Sequence, residues 1–256
     1  MRFPRGPAAF CAAMVVFFAA MLAIDHWSDE RGQLAIAVVT WIVLFLACRP
    51  LSAERRAQAL LVVAVATCGE IVGSLIWGVY TYRLENLPLF VPPGHGLVFL
   101  TGLRLSETRL LTRHPRAFVA AVLVFALTWV LAGLTVLPRT DVVGALGAVA
   151  FAYFVLRGRA RAAYCGVFVA VAALEIYGTA IGTWQWKEVV PGTSLPNGNP
   201  PSGVASGYVV FDIVALALAP RVVAYARSVR SALGERRDQG LGDDLHRAAG
   251  DLARAA

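Results

Sequence analysis

Apolar runs, broken by short clusters of charge and by Pro and Gly, divide the chain into eight segments. They cover about Ala8 to Ile24, Leu34 to Cys48, Ala57 to Tyr80, Gly94 to Leu111, Ala117 to Leu137, Val142 to Leu156, Ala162 to Thr183 and Gly203 to Tyr225. A bilayer is crossed by about 20 residues of helix, and these runs approach or exceed that length. The fourth is the least regular, because Arg104, Glu107 and Arg109 leave only Gly96 to Leu103 cleanly apolar. The pattern predicts an all-α fold. It is a polytopic membrane helix bundle of about eight transmembrane helices in one domain over residues 1–230. A polar tail, 231–256, is expected to be loose or weakly helical.

Composition agrees. Of 256 residues 58% are hydrophobic and 15% charged, against roughly 25% charged in ordinary soluble domains. So few charges cannot dress a globular surface, which excludes DNA-binding and disulfide-rich secreted classes. Cys11, Cys48, Cys68 and Cys165 fall in or beside apolar runs, with neither CxxC nor metal-ligand spacing. Arg2 and Arg5 precede the first run as they would in a signal peptide. With no clear small-residue cleavage site before Asp25, the run is expected to remain as the first helix.

The net charge of +7 has a direction. Moving from loop to loop, basic clusters (Arg49, Arg55 and Arg56; Arg104, Arg109, Arg113 and Arg116; Arg157, Arg159 and Arg161) alternate with neutral or acidic ones (Asp25 to Arg31, Arg83 with Glu85, Arg139 with Asp141, Lys187 with Glu188). By the positive-inside rule this alternation predicts eight crossings, with both termini on the cytoplasmic face of a bacterial-type inner membrane.

A motif recurs. EIVGSLIWGVYTY, Glu70 to Tyr82, and EIYGTAIGTWQW, Glu175 to Trp186, align once one residue is dropped from the first. Glu70 then matches Glu175, Gly73 matches Gly178, Gly78 matches Gly182, and Tyr80 and Tyr82 match Trp184 and Trp186. A Pro-Pro pair follows each, Pro92-Pro93 and Pro200-Pro201. Four helices per half is an even number, so the halves are expected to be parallel repeats, about 8–111 and 117–225, around an axis along the membrane normal. Glu70 lies 14 residues after Arg56 and 12 before Tyr82; if all of this is helix, it sits ~21 Å and ~18 Å from them, near the midplane.

Intramembrane acids are costly and usually face a cavity or a partner. A carboxyl held away from water favours its neutral form and is suited to donating a proton. The plainer alternative makes each Glu a hydrogen-bonding staple. Trp77, Tyr80, Tyr82, Trp184 and Trp186 form either an interfacial aromatic belt or an apolar pocket able to stabilise a cation. Asp212 is a third acid in an apolar run, with Arg104 and Glu107 in the corresponding region of the first half. His95, in PPGHG, is the one histidine near the motif and reads first as a loop or cap residue. Catalytic candidates are Glu70, Glu175 and Asp212; substrate-binding candidates are Trp77, Tyr80, Tyr82, His95, Arg104, Trp184 and Trp186. No Walker, Rossmann, zinc-helix or nucleophile-elbow motif occurs, so neither a metal nor a cofactor is expected. The bilayer is the expected partner, nucleic acid is not, and the oligomeric state stays open.

A Glu with Gly three residues on, then Gly-x-Tyr-x-Tyr and a Pro-containing approach to the next helix, resembles the integral-membrane carotenoid hydratase family. The resemblance covers Glu70 to about Gly102 and, more loosely, Glu175 to Asp212. It implies addition of water across a terminal isoprenoid double bond without a cofactor. Membrane terpene cyclases and small membrane lycopene cyclases are similar in logic, with paired intramembrane acids. The chain departs from the hydratase pattern in PPGHG and in the long loop Gly192 to Gly203. On this reading Glu70 is the first choice of proton donor, and Glu175 orients water or takes the final proton. The alternative is a non-enzymatic membrane protein, either a proton-coupled carrier or an assembly partner.

Overall fold

The computed structural model describes the backbone of residues 6–255 and the side chains of 6–231. Helices α1 (Pro7–His26), α2 (Glu30–Cys48) and α3 (Ala53–Glu70) come first, and α3 continues into a π-helical turn, Ile71–Ile76. Strand β1 (Tyr80–Tyr82) precedes α4 (Val91–Ser106) and the short α5 (Arg109–Arg113). Then follow α6 (Pro115–Thr135), α7 (Val142–Arg157), α8 (Arg161–Ala180), strand β2 (Trp184–Trp186) and α9 (Ala205–Ala255).

Among the described residues, six segments are long and apolar enough to cross a membrane: Pro7–His26, Glu30–Cys48, Ala53–Ile76, Pro115–Thr135, Arg161–Ala180 and Ala205–Ser231. Helices α4 and α7, of 16 residues each, rise only ~24 Å against a ~30 Å hydrocarbon core. The fourth apolar run therefore breaks in two: α4 stops at Ser106, and α5 carries Arg109 and Arg113 separately. Helix α4 is nonetheless the centre of the bundle. Its residues from His95 to Gly102 are all buried, enclosed by α1, α2, α3 and α8. A helix apolar on every side is one surrounded by protein. Its charged end is neutralised locally, with Glu107 bridging Arg55 of α3 and Arg104. The most extensive helix contacts are α3 with α9 and α4 with α8.

Two expected helices end early. The third was expected to run to Tyr80 and the seventh to Thr183; instead the chain leaves the helix at Ile76 and at Ala180. Left-handed glycines, Gly78 (φ +70°) and Gly182 (φ +76°), then reverse it, a conformation that costs glycine least. The segments after them pair as a two-stranded antiparallel ribbon with Tyr80 opposite Trp186, Thr81 opposite Gln185 and Tyr82 opposite Trp184. The extra residue in the first motif copy is taken up by the π turn, for which α8 has no counterpart. Insertion of one residue into a helix commonly produces such a turn, often beside a functional site. Of the two expectations for the tail, loose or weakly helical, the backbone follows the helical one, continuing as helix to Ala255.

Candidate functional site: a paired-glutamate cavity

Glu70 stands at the last position of α3 and Glu175 five residues before the end of α8. Helix rise puts Glu70 ~25 Å from Ala53 and only ~9 Å from Ile76. Both acids thus lie near the ribbon end of the bundle, not at mid-depth, because the helix on which the mid-depth estimate relied stops at Ile76.

Each acid is held by its own motif. Residues i and i+2 of a strand point to the same face, so each strand turns two aromatic side chains back onto the Glu that precedes it. Tyr80 and Tyr82 donate their hydroxyls to Glu70 Oε2 at 2.7 and 2.8 Å. Trp184 and Trp186 donate their indole N–H groups to Glu175 Oε2 at 2.8 and 3.1 Å. Burial, followed by the charge of Glu70, raises both phenols well above their ordinary value, so they remain protonated donors. The glycine three residues after each Glu makes room for one ring. A Cβ at Gly73 would come within 3.1 Å of the Tyr80 ring, and one at Gly178 would run into Trp184. The space allowed by these glycines is filled by aromatic side chains rather than by a neighbouring helix.

The two acids differ in their remaining oxygen. Glu70 Oε1 lies 2.9 Å from His95 Nε2, and His95 is buried, with no partner for Nδ1 among the described residues. The hydrogen bonds that Glu175 receives all fall on Oε2, which leaves Oε1 to the cavity. Both carboxyls line one cavity of about 200 Å³, together with Tyr80, Tyr82, His95, Trp184, Trp186 and Tyr208. Its wall is predominantly apolar, with Phe90, Phe211, Met21 and Leu22 among its residues. The sequence did not single out Tyr208, whose ring lies tilted against His95 with centroids 5.1 Å apart. Spacing did not mark it: Gly94-His95 follows the first Pro-Pro pair directly, whereas Gly207-Tyr208 begins six residues after Pro201.

Three expected site residues fall elsewhere. Trp77 is 51% exposed and donates its indole N–H to the Pro191 carbonyl at 2.9 Å, so it staples the long loop to the π turn. Arg104 pairs with Glu107, nine residues beyond His95 and ~13 Å along the helix. Asp212 is 2% exposed with Oδ2 unpartnered, but it is not among the cavity-lining residues. One turn beyond Tyr208 on the same face of α9, it lies farther along the helix than Phe211, the last α9 residue to line the cavity.

Other polar residues, which the sequence offered only as loop charges, support the ribbon. Arg139 donates to the Trp186 carbonyl at 2.7 Å, and the Trp186 N–H donates to Asn199 Oδ1 at 3.0 Å. The loop bearing Asn199 is anchored by buried Asp141, which accepts from Gly144 N, Gly198 N, Ser202 N and Ser202 Oγ. Among the described residues, no group of three or more His, Cys, Asp or Glu could hold a metal ion.

Comparisons with protein-family models, with curated proteins and with solved structures return no match.

Proposed function

We propose that this chain is a membrane-embedded enzyme that protonates a carbon–carbon double bond of an isoprenoid-type lipid, leading to hydration or cyclisation. The observation that carries it is the joining of two buried carboxyls and a shell of aromatic faces in one apolar cavity. The resemblance of the motif to carotenoid hydratases points the same way.

The hydrogen bonds favour the reverse of the roles that the sequence suggested. Glu175 Oε1 receives no donor among the described residues, so a proton there is free to be delivered. Glu70 has both oxygens engaged, and His95 adjoins the one facing away from the tyrosines. In the reaction the π pair of the substrate takes the Glu175 proton, forming a C–H bond and leaving a tertiary cation. Aromatic faces stabilise a desolvated cation by ~2 kcal/mol or more. Water then adds through its oxygen and loses a proton to the Glu70–His95 couple. In cyclisation, a second double bond attacks and the ring cation loses its proton to the same couple. Either way one proton passes from Glu175 to Glu70, and returns through water before the next turnover. Two carboxyls held in unlike surroundings are a recurrent basis for such a division of labour.

For the architecture we adopt eight crossings, as two parallel four-helix repeats with both termini cytoplasmic. The alternating loop charges support the topology. Correspondence of α3 with α8 and of α4 with α9 exchanges the two largest helix contacts with each other. It also maps the Tyr80–Trp186 pair onto Trp184–Tyr82, the reciprocal pairing expected about a two-fold axis. The short α4 is compatible with crossing because protein, not lipid, surrounds it.

The test is expression in a bacterial host that accumulates linear isoprenoid polyenes, with lipid extracts read by mass spectrometry. Wild type should yield a product heavier by one water, or an isomer of altered retention; Glu70→Gln and Glu175→Gln should each abolish it. Equal product from all three overturns the reading and leaves the two acids as hydrogen-bonding staples.

A further inference from the structure

The cavity is small for a whole lipid. Its ~200 Å³ is near the ~150 Å³ of an apolar cavity that holds a single benzene ring. Pockets that enclose a drug-sized ligand measure roughly 300–1,000 Å³. A molecule of lipid length can place only one end inside, and the rest must pass out through an opening.

The two flanks of the cavity differ. Between α4 and α8 the wall is sealed by α1, whose Phe18, Met21 and Leu22 line it; Met21 and Leu22 are buried there. In the second half of the chain the helix in the corresponding place is α6, which packs on α7 and α8. The α3–α9 flank thus has no such cover among the described helices. Gly207 is exposed on this flank, Gly69 and Phe211 are half-buried, and all three line the cavity, with the Phe211 ring packed against Gly69 and closing the seam there. A side chain at Gly207 would meet no atom within 4 Å, so the wall is open at this point. Around it the outward residues Val72 and Val210 are exposed and apolar. Both α3 and α9 belong to segments long enough to cross the membrane. An opening between two such helices, rimmed by glycine and apolar side chains, faces acyl chains rather than water.

We infer that the substrate is a long apolar chain that slides in from the bilayer at the ribbon end of the α3–α9 seam, past Gly207 and over the Phe211 ring that rests against Gly69. Its terminal unit alone reaches Glu70 and Glu175, and the remainder stays among the lipids. This rests on the enzyme reading for the word substrate, but the opening itself does not. It makes the chemistry selective for chain ends. An internal double bond of the same chain cannot reach the acids, because the cavity does not pass a doubled strand, so of the two outcomes above the cavity favours hydration of the chain end over cyclisation.

The experiment uses the full chain in phosphatidylcholine vesicles carrying a linear alkyl probe with a terminal diazirine, photolysed and mapped by peptide mass spectrometry. In wild type the probe should label cavity residues such as Val98 and Tyr208 as well as outward residues such as Leu131. Gly207→Trp, whose side chain extends into open space, should cut cavity labelling by about tenfold or more and leave outward labelling unchanged. Gly207→Leu should give a smaller cut, and Val149→Trp on the exposed face of α7 none. Unlabelled cavity residues in wild type, or equal cavity labelling in Gly207→Trp, would overturn the inference. Retained outward labelling and a normal gel-filtration profile show that the variants are folded. Cavity labelling blocked by Gly207→Trp, in a protein that turns over no isoprenoid, would keep the opening and dismiss only the enzyme reading.

Discussion

Tyr80 and Trp186 face each other across the ribbon, ring centroids 4.5 Å apart, yet each donates its hydrogen bond to a different glutamate. Tyr80 belongs to Glu70 and Trp186 to Glu175. The pair therefore ties the two acids into one unit, and a change at either ring reaches both carboxyls.

Phenol and indole are not equivalent here. A hydroxyl both donates and accepts, and an indole N–H only donates. Tyr82→Phe should remove one of the three groups that hold Glu70. The expected loss is about 1.5–3 kcal/mol of stability, typical of a hydrogen bond to a charged group. Denaturant unfolding of the purified protein in detergent checks it. Tyr82→Trp should not restore the loss, since the longer ring cannot sit against Phe90 and Trp184 in the same packed cluster.

The two slot glycines should differ in tolerance. At Gly73 a methyl group needs the Tyr80 ring to give by a few tenths of an ångström, whereas at Gly178 it overlaps the buried Trp184 ring outright. Gly178→Ala should therefore cost about 1–3 kcal/mol, the usual range for overpacking, and Gly73→Ala less. Thermal unfolding of the two variants side by side decides the order.

Asp141 anchors the loop that positions Trp186. Asp141→Ala strands two buried backbone N–H groups of the loop, at Gly198 and Ser202, and opens the N-cap of α7. At ~1–3 kcal/mol for each stranded group, the variant should be among the least stable single substitutions. Limited proteolysis should then cut within Gly192 to Gly203, where the wild type resists.

Trp77 was a candidate for the site and is displaced from it. Trp77→Leu should leave turnover within about twofold of wild type, as surface substitutions usually do. A tenfold loss in the lipid-extract assay would put Trp77 back beside the substrate.

Topology has its own check. Cysteines placed at Arg83 and Lys187 should react with a membrane-impermeant maleimide from one side of intact cells, and cysteines at Arg55 and Arg159 only after the membrane is opened. Labelling of Arg159 and Lys187 positions from the same side would refute the eight-crossing arrangement.

The sequence by itself determined the helical membrane class, the position of most helices and the two glutamates, for one physical reason. Lipid demands continuous apolar runs and penalises every buried charge, so helices and exceptions both stand out along the chain. The matched glycines were equally visible, because spacing along one segment is a local property. What the sequence did not determine was where each helix stops and what the released chain then does. Trp77 and Tyr80 look alike in a linear pattern, but the π turn and the left-handed Gly78 send one outward and fold the other back onto Glu70. Asp212 and Glu175 look alike as acids in apolar runs, and only where the cavity ends along each helix separates a wall residue from a buried one. His95 and Tyr208 join the acids because α4 and α9 pack beside α3, a contact between segments far apart in the chain. Tertiary packing decided those points, because helix rotation and crossing are fixed by how side chains from distant segments fit together, a relation that no single stretch of sequence contains.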